Sequence, residues 1–310
     1  MCKRIKNTLI YLAARLLMGV VRRMGLARSQ RFGRWLGRRA FGRARTERNR
    51  TLAHLELAFP DMSDDARRAL ARSVFEHFGA AVAECVNARR IGDLGAFVEL
   101  DEDSRRVLDA ALARGHGVVF VTCHCGNWEL MARSLAHRGY PVNTIGQKSY
   151  DPRFTRLIAG FRERGGVRTI WRGEPGVLEK MAAVCARGEI MGLLIDQDTR
   201  VPGVFVPFFG REAYTPTAAA LLARRTGAAL VCGLNHRKTG GGYRILVEEH
   251  VPSANPDERT AVRADTAALT ARIERHIRQH PSEWVWMHRR WKTRPENGDD
   301  RTVPPRLVHA

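Results

Sequence analysis

The chain has 310 residues, 44% hydrophobic and 27% charged, which is the composition of a globular protein with a sizeable core and not of a disordered chain. Its net charge is +20, and residues 1–50 hold 15 Lys or Arg against one acid, hence +14 of that total. A basic end on a nearly neutral body predicts binding to an anionic surface, either nucleic acid or a membrane face. The six cysteines suggest no disulfide framework, which favours a reducing cytoplasmic environment.

The basic end contains a short apolar stretch. Residues 8–21 are apolar except for Arg15, and as a helix they are about 21 Å long, short of a hydrocarbon core of about 30 Å. No small-residue cleavage site follows, so a signal peptide is not predicted. One helical face carries Leu9, Leu12, Leu16, Val20 and Val21. We predict that residues 1–45 form a membrane-associating basic helical segment in the lipid interface, with packing on the protein's own core as the alternative. No nucleic-acid-binding motif accompanies the charge, so nucleic acid is not an expected partner.

Helical and extended patterns follow the basic segment in chain order. Residues 51–97 read as helices, one of them capped by Ser63. Strands are predicted at 117–124, 141–146, 189–198, 228–237 and 242–250. Helices are predicted between and after them at 107–114, 127–139, 151–164, 176–187, 215–227 and 257–280, the one at 215–227 with Thr215 as its cap and Pro216 in first position. This alternation predicts an α/β fold with a mixed, mostly parallel central sheet flanked by helices. Residues 46–295 are predicted to be one domain, and residues 296–310 a polar, flexible tail.

The stretch VTCHCGNWEL carries the most reactive side chains. His124 ends a predicted buried strand, and in open α/β sheets ligands bind at the carboxyl ends of strands. If Gly126 and Asn127 form the turn, Glu129 lies in the first turn of the next helix and can reach the imidazole. A histidine with an orienting carboxylate can take a proton from a hydroxyl near neutral pH. We therefore predict that His124 is a general base and Glu129 its partner.

This stretch allows two other interpretations. The run Cys123-His124-Cys125 offers zinc ligands, but along a strand both cysteines point away from the histidine. A Cys-x-x-Cys or His-x-x-x-His pair is absent here, so no metal is expected and the cysteines are predicted to pack in the strand. A hydrogen-bonded core histidine is the second alternative, and the string H-x-G-N-W-E makes it less attractive.

Five stretches together resemble the bacterial lipid A biosynthesis acyltransferases, the lauroyl and myristoyl transferases of the lysophospholipid acyltransferase superfamily. HCGNWE is similar to the H-x4-D/E signature of that superfamily. LLIDQD with the later GVFVPFFG resembles the second conserved block, and TPTAAALLARRTGAALV resembles the helix and strand after it. HPSEWVWMHRRWKTRP, residues 280–295, resembles the C-terminal signature, and the basic N-terminus resembles the membrane anchor. The resemblance thus covers the chain up to about residue 295.

The resemblance implies roles for particular residues. His124 matches the catalytic histidine and Glu129 its acidic partner, while Asn127 and Trp128 complete the motif. Asp198 matches a functional aspartate, with Asp196 close by. The residues expected to bind substrate are Asn127, Trp128, Asp196 and Asp198, together with one arginine. That arginine is predicted to be Arg164, in competition with Arg162, Arg168 and Arg172.

The implied activity is transfer of a fatty acyl chain from an acyl carrier protein or coenzyme A thioester to a hydroxyl of a lipid A precursor. No cofactor is expected beyond this donor substrate. The expected partners are the donor, the lipid acceptor in the membrane and anionic phospholipids. The resemblance also implies the bacterial inner membrane, with the catalytic domain on its cytoplasmic face. The alternatives are acylation of another glycolipid or lysophospholipid, and a non-enzymatic protein of this fold that binds anionic membranes.

Overall fold

The computed structural model of the protein describes residues 2–295, so the predicted tail at 296–310 lies outside the described residues. The helices are α1 (Cys2–Arg23), α2 (Leu26–Arg43), α3 (Arg45–Ala58), α4 (Asp64–Val86), α5 (Leu94–Phe97), α6 (Glu102–Ala113), α7 (Trp128–His137), α8 (Pro152–Glu163), α9 (Val177–Ala186), α10 (Ala218–Thr226) and α11 (Glu258–Gln279). The strands are β1 (Val98–Leu100), β2 (Val118–Thr122), β3 (Val142–Gly146), β4 (Arg168–Trp171), β5 (Ile190–Leu194), β6 (Gly203–Phe208), β7 (Arg211–Pro216), β8 (Ala229–Arg237) and β9 (Tyr243–His250).

A seven-stranded sheet with the order β1-β9-β8-β2-β5-β3-β4 forms the centre of the fold. Its neighbouring strands are parallel except β8 and β9, which run antiparallel. This confirms the predicted mixed, mostly parallel sheet. Parallel strands covered on both faces read as continuous apolar runs, and β2 is buried at all of its positions. Val119 and Val121 belong to one core cluster, whereas Val118 and Phe120 belong to the other.

A separate antiparallel hairpin of β6 and β7 was not predicted from the sequence. One prediction is wrong as a result. Thr215 and Pro216 were expected to begin a helix, but they pair with Val204 and Gly203 at the end of β7. The helix α10 begins after them, with Thr217 at its N-cap. A Thr-Pro pair suits both a helix start and a strand end, and the pairing partner decided which formed.

The helices of the basic segment differ in how they meet the rest of the fold. α2 packs closely on α4, because a Cβ on Gly33 would stand only 2.4 Å from the Gly79 carbonyl oxygen. In α1, the predicted apolar face is largely exposed, with Leu12 at 56% and Leu16 at 73%, whereas Val21 is buried. Among the described residues, no helix is long and apolar enough to cross a membrane.

Candidate active site

The register of two parallel strands brings His124 next to Asp196. Thr122 of β2 pairs with Leu194 of β5, and the two functional residues each follow two positions later. The His124 Nδ1 lies 2.8 Å from Asp196 Oδ1, and the His124 backbone N–H donates to Oδ2 at 2.8 Å. The Trp284 indole N–H donates to the same Oδ2 at 2.7 Å. The carboxylate in contact with the imidazole is therefore that of Asp196.

The Asp196 carboxylate is almost fully buried and remains charged. Burial by itself would raise its pKa, but the neighbouring His124 ring, the His124 N–H donors and the Trp284 indole outweigh that effect and lower the pKa to about 2. An ionised Asp196 requires the proton on Nδ1 of His124, which leaves the lone pair of Nε2 free. Because the His124 side chain is 22% exposed, this nitrogen is suited to take a proton from a bound hydroxyl.

The loop 124–127 is fixed by backbone contacts to distant parts of the chain. The His124 carbonyl accepts from Val285 N at 3.2 Å, and Gly126 N donates to the Glu283 carbonyl at 3.2 Å. Gly126 has φ +63, and a Cβ there would stand 2.1 Å from Asn235 Oδ1, so this position requires glycine. Because its N–H is already paired with the Glu283 carbonyl, Gly126 is not free to hold an oxyanion.

Asn127 holds the loop on the start of α7. Its Oδ1 accepts from Leu130 N at 3.2 Å as an N-cap, and its Nδ2 donates to Glu84 Oε2 at 3.1 Å and to the Ala81 carbonyl at 3.2 Å. The side chain is only 2% exposed. These contacts give Asn127 a positioning role, and its substrate contact stays a prediction.

Glu129 lies in the first turn of α7, as predicted, but its carboxylate pairs with an arginine. The Arg162 guanidinium donates to the two carboxylate oxygens at 2.9 and 2.5 Å. Trp128 precedes Glu129 in the chain, and its ring meets the His124 ring edge-on with centroids 4.9 Å apart. The predicted contact of Glu129 with the imidazole is made instead by Asp196.

The four competing arginines occupy different environments. Arg164 is exposed at the C-cap of α8, Arg168 pairs with Glu189 at 3.2 Å, and Arg172 is half-buried, which lowers its pKa. Arg162 is the arginine that reaches the motif of His124. Its Nη1 is buried, and in the part of the chain that the structure describes it has no hydrogen-bond partner.

Asp198 lies on the same strand-end segment as Asp196 but faces the C-terminal signature. Its carboxylate accepts from Thr293 N at 2.8 Å and Thr293 Oγ1 at 3.0 Å, and Lys292 Nζ lies 3.5 Å away. These contacts hold residues 292–293 next to the segment that follows β5. Its predicted contact with substrate remains a prediction.

An apolar pocket lies between α7 and the sheet, and the Glu129–Arg162 pair forms part of its wall. Its cavity volume is about 30 Å³, so the pocket is narrow in this structure. Its lining consists of Phe120, Thr122, Trp128, Glu129, Met131, Ala132, Leu135, Val142, Thr144, Arg162, Ile190, Gly192 and Leu194. The lining follows β5 from its first residue to its last, about 13 Å at strand spacing. The pocket is thus apolar and extends along β5.

Cys123 and Cys125 are buried in the core next to His124, in agreement with packing in the strand. Within residues 2–295, these cysteines are not part of a group of three side chains that could hold a metal ion.

Comparison with known proteins identifies the family of the chain. Residues 3–293 match the sequence profile of a family described as bacterial lipid A biosynthesis acyltransferase. The chain belongs to this family. It is 30% identical over 263 residues to the lipid A biosynthesis lauroyltransferase of Escherichia coli, covering 80% of each chain. It is 29% identical to the E. coli palmitoleoyltransferase of the same pathway, over 78% of each chain. A phosphatidylinositol mannoside acyltransferase of Mycobacterium tuberculosis is 30% identical over 59% of this chain and 57% of its own. The protein is therefore an acyltransferase.

Sequence reasoning named His124, Asp196 and Arg162, but neither their pairing nor the contact of Trp284 with Asp196. Asp196 was noted only as a neighbour of Asp198, and Arg162 only as a competitor of Arg164. The signal for Asp196 was its position at the end of a second buried strand, because parallel neighbours end at the same edge of a sheet. The signal for Trp284 was its place in the C-terminal signature, which joins this edge through its backbone bridge to Cys125.

Proposed function

We propose that the acyltransferase moves a fatty acyl chain from a thioester of acyl carrier protein or coenzyme A to a hydroxyl of a lipid A precursor. The observation that carries this proposal is the His124–Asp196 pair next to an apolar pocket that runs along β5. The names of the E. coli relatives support lipid A as the acceptor class.

In the proposed reaction, Nε2 of His124 takes the proton of the acceptor hydroxyl as its oxygen attacks the thioester carbonyl. The imidazolium that forms is stabilised by ionised Asp196 through Nδ1. The tetrahedral intermediate then collapses, the carbon–sulfur bond breaks, and the thiolate takes the proton back from Nε2. The products are the ester and the free thiol, and no acyl-enzyme is required. General-base assistance of this kind contributes about 10²–10⁴-fold in rate.

The acyl chain of the donor would occupy the apolar pocket, with its carbonyl at the end where Trp128, Glu129 and Arg162 lie. The unpaired Nη1 of Arg162 is a charged donor suited to the developing oxyanion. The ion pair with Glu129 keeps the guanidinium at this end of the pocket. Trp128, Arg164, Asp196 and Asp198 also remain candidates for substrate contact, Asp196 through His124.

The acceptor is an amphiphile, so the enzyme would act at the bacterial inner membrane with its catalytic domain on the cytoplasmic face. The exposed leucines of α1 and the charge of +14 in residues 1–50 support binding to anionic phospholipids. Flotation with vesicles tests this. We expect binding to vesicles with anionic lipid, weaker binding at high salt, and release by Leu12→Asn with Leu16→Asn. Equal flotation of parent and variant would contradict membrane binding through α1.

An acyl-transfer assay tests the function. The purified protein in detergent is given radiolabelled acyl carrier protein and coenzyme A thioesters of several chain lengths with a tetra-acylated lipid A precursor. We expect transfer by the parent, loss of at least about 10²-fold in His124→Ala, and full activity in His137→Ala, an exposed histidine at the end of α7.

The other outcomes separate the alternatives. Transfer to a lysophospholipid or a mannosylated phosphoinositide but not to the lipid A precursor would keep the chemistry and change the acceptor. No transfer to any lipid, together with vesicle binding that is unaffected by His124→Ala, would support the non-enzymatic alternative.

A further inference from the structure

Three histidines meet behind the loop 124–127, outside the catalytic pair. His236 is the penultimate residue of β8, His276 lies in the last turn of α11, and His280 caps that helix. One ring nitrogen of each lies within 4.8 Å of the others. The rings of His236 and His280 stack face to face, with centroids 4.1 Å apart and planes 4° apart. Residues that are 44 positions apart in sequence thus bring three potential ligands to one point.

The hydrogen bonding of this cluster is incomplete. Nε2 of His276 lies 2.9 Å from the Asn235 carbonyl, and the ring also interacts with the Cys125 thiol, so its orientation is fixed. Nδ1 of His236, by contrast, is buried, and among residues 2–295 it has no hydrogen-bond partner. A buried polar atom without a partner is costly, and native structures contain few of them. The orphaned nitrogen points to a ligand that completes the cluster.

We propose that His236, His276 and His280 bind one divalent transition-metal ion, for which zinc is the probe of choice. Imidazole nitrogens are the commonest ligands of zinc, and three of them with a fourth position for water form a complete tetrahedral set. The stacked rings hold their lone pairs in parallel planes, so one ring must tilt to share the ion. His280 is the ring with room to do so, because it is half-buried and lies beyond the last turn of α11.

The ion would tie the end of α11 to the end of β8 at the back of the active site. Asn235 adjoins the cluster on one side, and its Nδ2 donates to the Asn127 carbonyl at 3.0 Å on the other. A metal that fixes His236 therefore stabilises the strand end on which the loop of His124 rests. The bound ion stabilises the loop 124–127 and takes no part in the transfer of the acyl group. The proposal does not depend on which lipid is acylated.

Cobalt and zinc titrations of the untagged full-length protein test the site. After removal of metal with a chelator, we expect one equivalent of Co²⁺ to give the visible absorption of a tetrahedral site, and Zn²⁺ to displace it. His280→Gln and His236→Gln are expected to lose this absorption, whereas His137→Gln, with its exposed histidine, keeps it. Absence of saturable binding in the parent, or equal binding in His280→Gln, would overturn the proposal.

A thermal measurement separates lost ligation from lost folding. Saturating Zn²⁺ should raise the unfolding midpoint of the parent by roughly 5 °C at about a hundredfold excess over its Kd. The metal-free midpoints of the parent and of His280→Gln should be similar, and the zinc-dependent rise should be absent in the variant. A rise of the same size in both would also refute the site.

Discussion

Among the residues that the structure describes, the acyltransferase has two histidine–aspartate pairs with the same contact distance and different surroundings. Nδ1 of His124 lies 2.8 Å from Asp196, and Nε2 of His250 lies 2.8 Å from Asp265. The first pair stands where the parallel strands β2 and β5 end. The second stands at the opposite edge of the same sheet, because β9 runs antiparallel to β8 and its last residue, His250, lies across from Leu230 near the start of β8.

Surroundings, and not the pair itself, decide what each histidine can do. The His124 side chain is 22% exposed, keeps one nitrogen available and adjoins the pocket through Trp128. The His250 side chain is 9% exposed, and its aspartate also accepts from Ser253 N at 2.8 Å. The same chemical pair is therefore proposed to serve the reaction at one edge, and it joins β9 to α11 at the other.

Replacing each histidine by glutamine should give opposite results. We expect His124→Gln to lower kcat by at least about 10²-fold, because glutamine cannot act as a base, with little change in stability. His250→Gln should lower the free energy of unfolding by about 1–3 kcal/mol, because a buried hydrogen bond is disturbed, and keep the activity of the folded enzyme. Acyl-transfer rates and urea unfolding of the two variants measure this.

The expected difference between the two histidines would be contradicted if His250→Gln lost turnover without losing stability. That result would mean that the pair at the opposite edge contributes to the reaction. Equal loss of stability in both variants would instead mean that His124 also acts as a packing residue.

The carboxylates offer the next sharpest comparison. Asp196→Asn should lower kcat by about 10²–10⁴-fold, because an amide does not hold the proton on Nδ1 or stabilise an imidazolium. Since the pKa of Asp196 is about 2, the carboxyl stays ionised from pH 5 to 9 and contributes no inflection to the rate there. Its folded pKa is depressed, so its contribution to stability is lost only as the pH falls from about 4 towards 2.

Two control variants define what Asp196 does. Asp265→Asn should act on stability alone. Glu129→Gln breaks the ion pair with Arg162 on the pocket wall, so we expect a rise in KM for the thioester, roughly tenfold, and an unchanged pH profile of kcat. If Glu129→Gln alters that pH profile as Asp196→Asn does, then Glu129 contacts the imidazole in the reacting complex, as the sequence alone suggested.

The contrast between Glu129 and Asp196 shows which site residues could be predicted from the sequence and which could not. His124 was identified because its motif is local, with strand, turn and helix start adjacent in the chain. Its partner lies 72 residues away, and the contact exists because β5 happens to neighbour β2. The proximity of Glu129 in sequence favoured it, although the first turn of α7 directs that carboxylate towards Arg162. Strand order depends on packing of the whole sheet and leaves little local trace.

In the fold, too, features with a strong local pattern were predicted and those that depend on distant pairing were missed. Long buried strands and amphipathic helices were predicted because their apolar period is strong, and Ser63 was recognised as a cap that the Ala66 N–H contacts at 3.4 Å. The segments that were missed are short or paired outside the main sheet, namely β1, β4, β6 and β7. β6 contains an exposed Pro207, which is tolerated because the strand has a single partner.

The last difference between the two histidine–aspartate pairs is the apolar pocket, which adjoins only the pair of His124. Narrowing this pocket should change which length of acyl chain the enzyme prefers. Ala132 lies on α7 and lines the pocket, so Ala132→Phe would fill part of it. Excluding two methylenes from burial costs about 1.6 kcal/mol, so kcat/KM for long chains should fall roughly fifteenfold relative to chains two carbons shorter. The measurement is competition between acyl thioesters of different length. Ala113→Phe, at the exposed end of α6, is the matched control and should leave the ratio unchanged.

A uniform loss of rate for all chain lengths in Ala132→Phe would mean that the pocket does not hold the chain. The preference for chain length would then have to arise elsewhere on the route to His124.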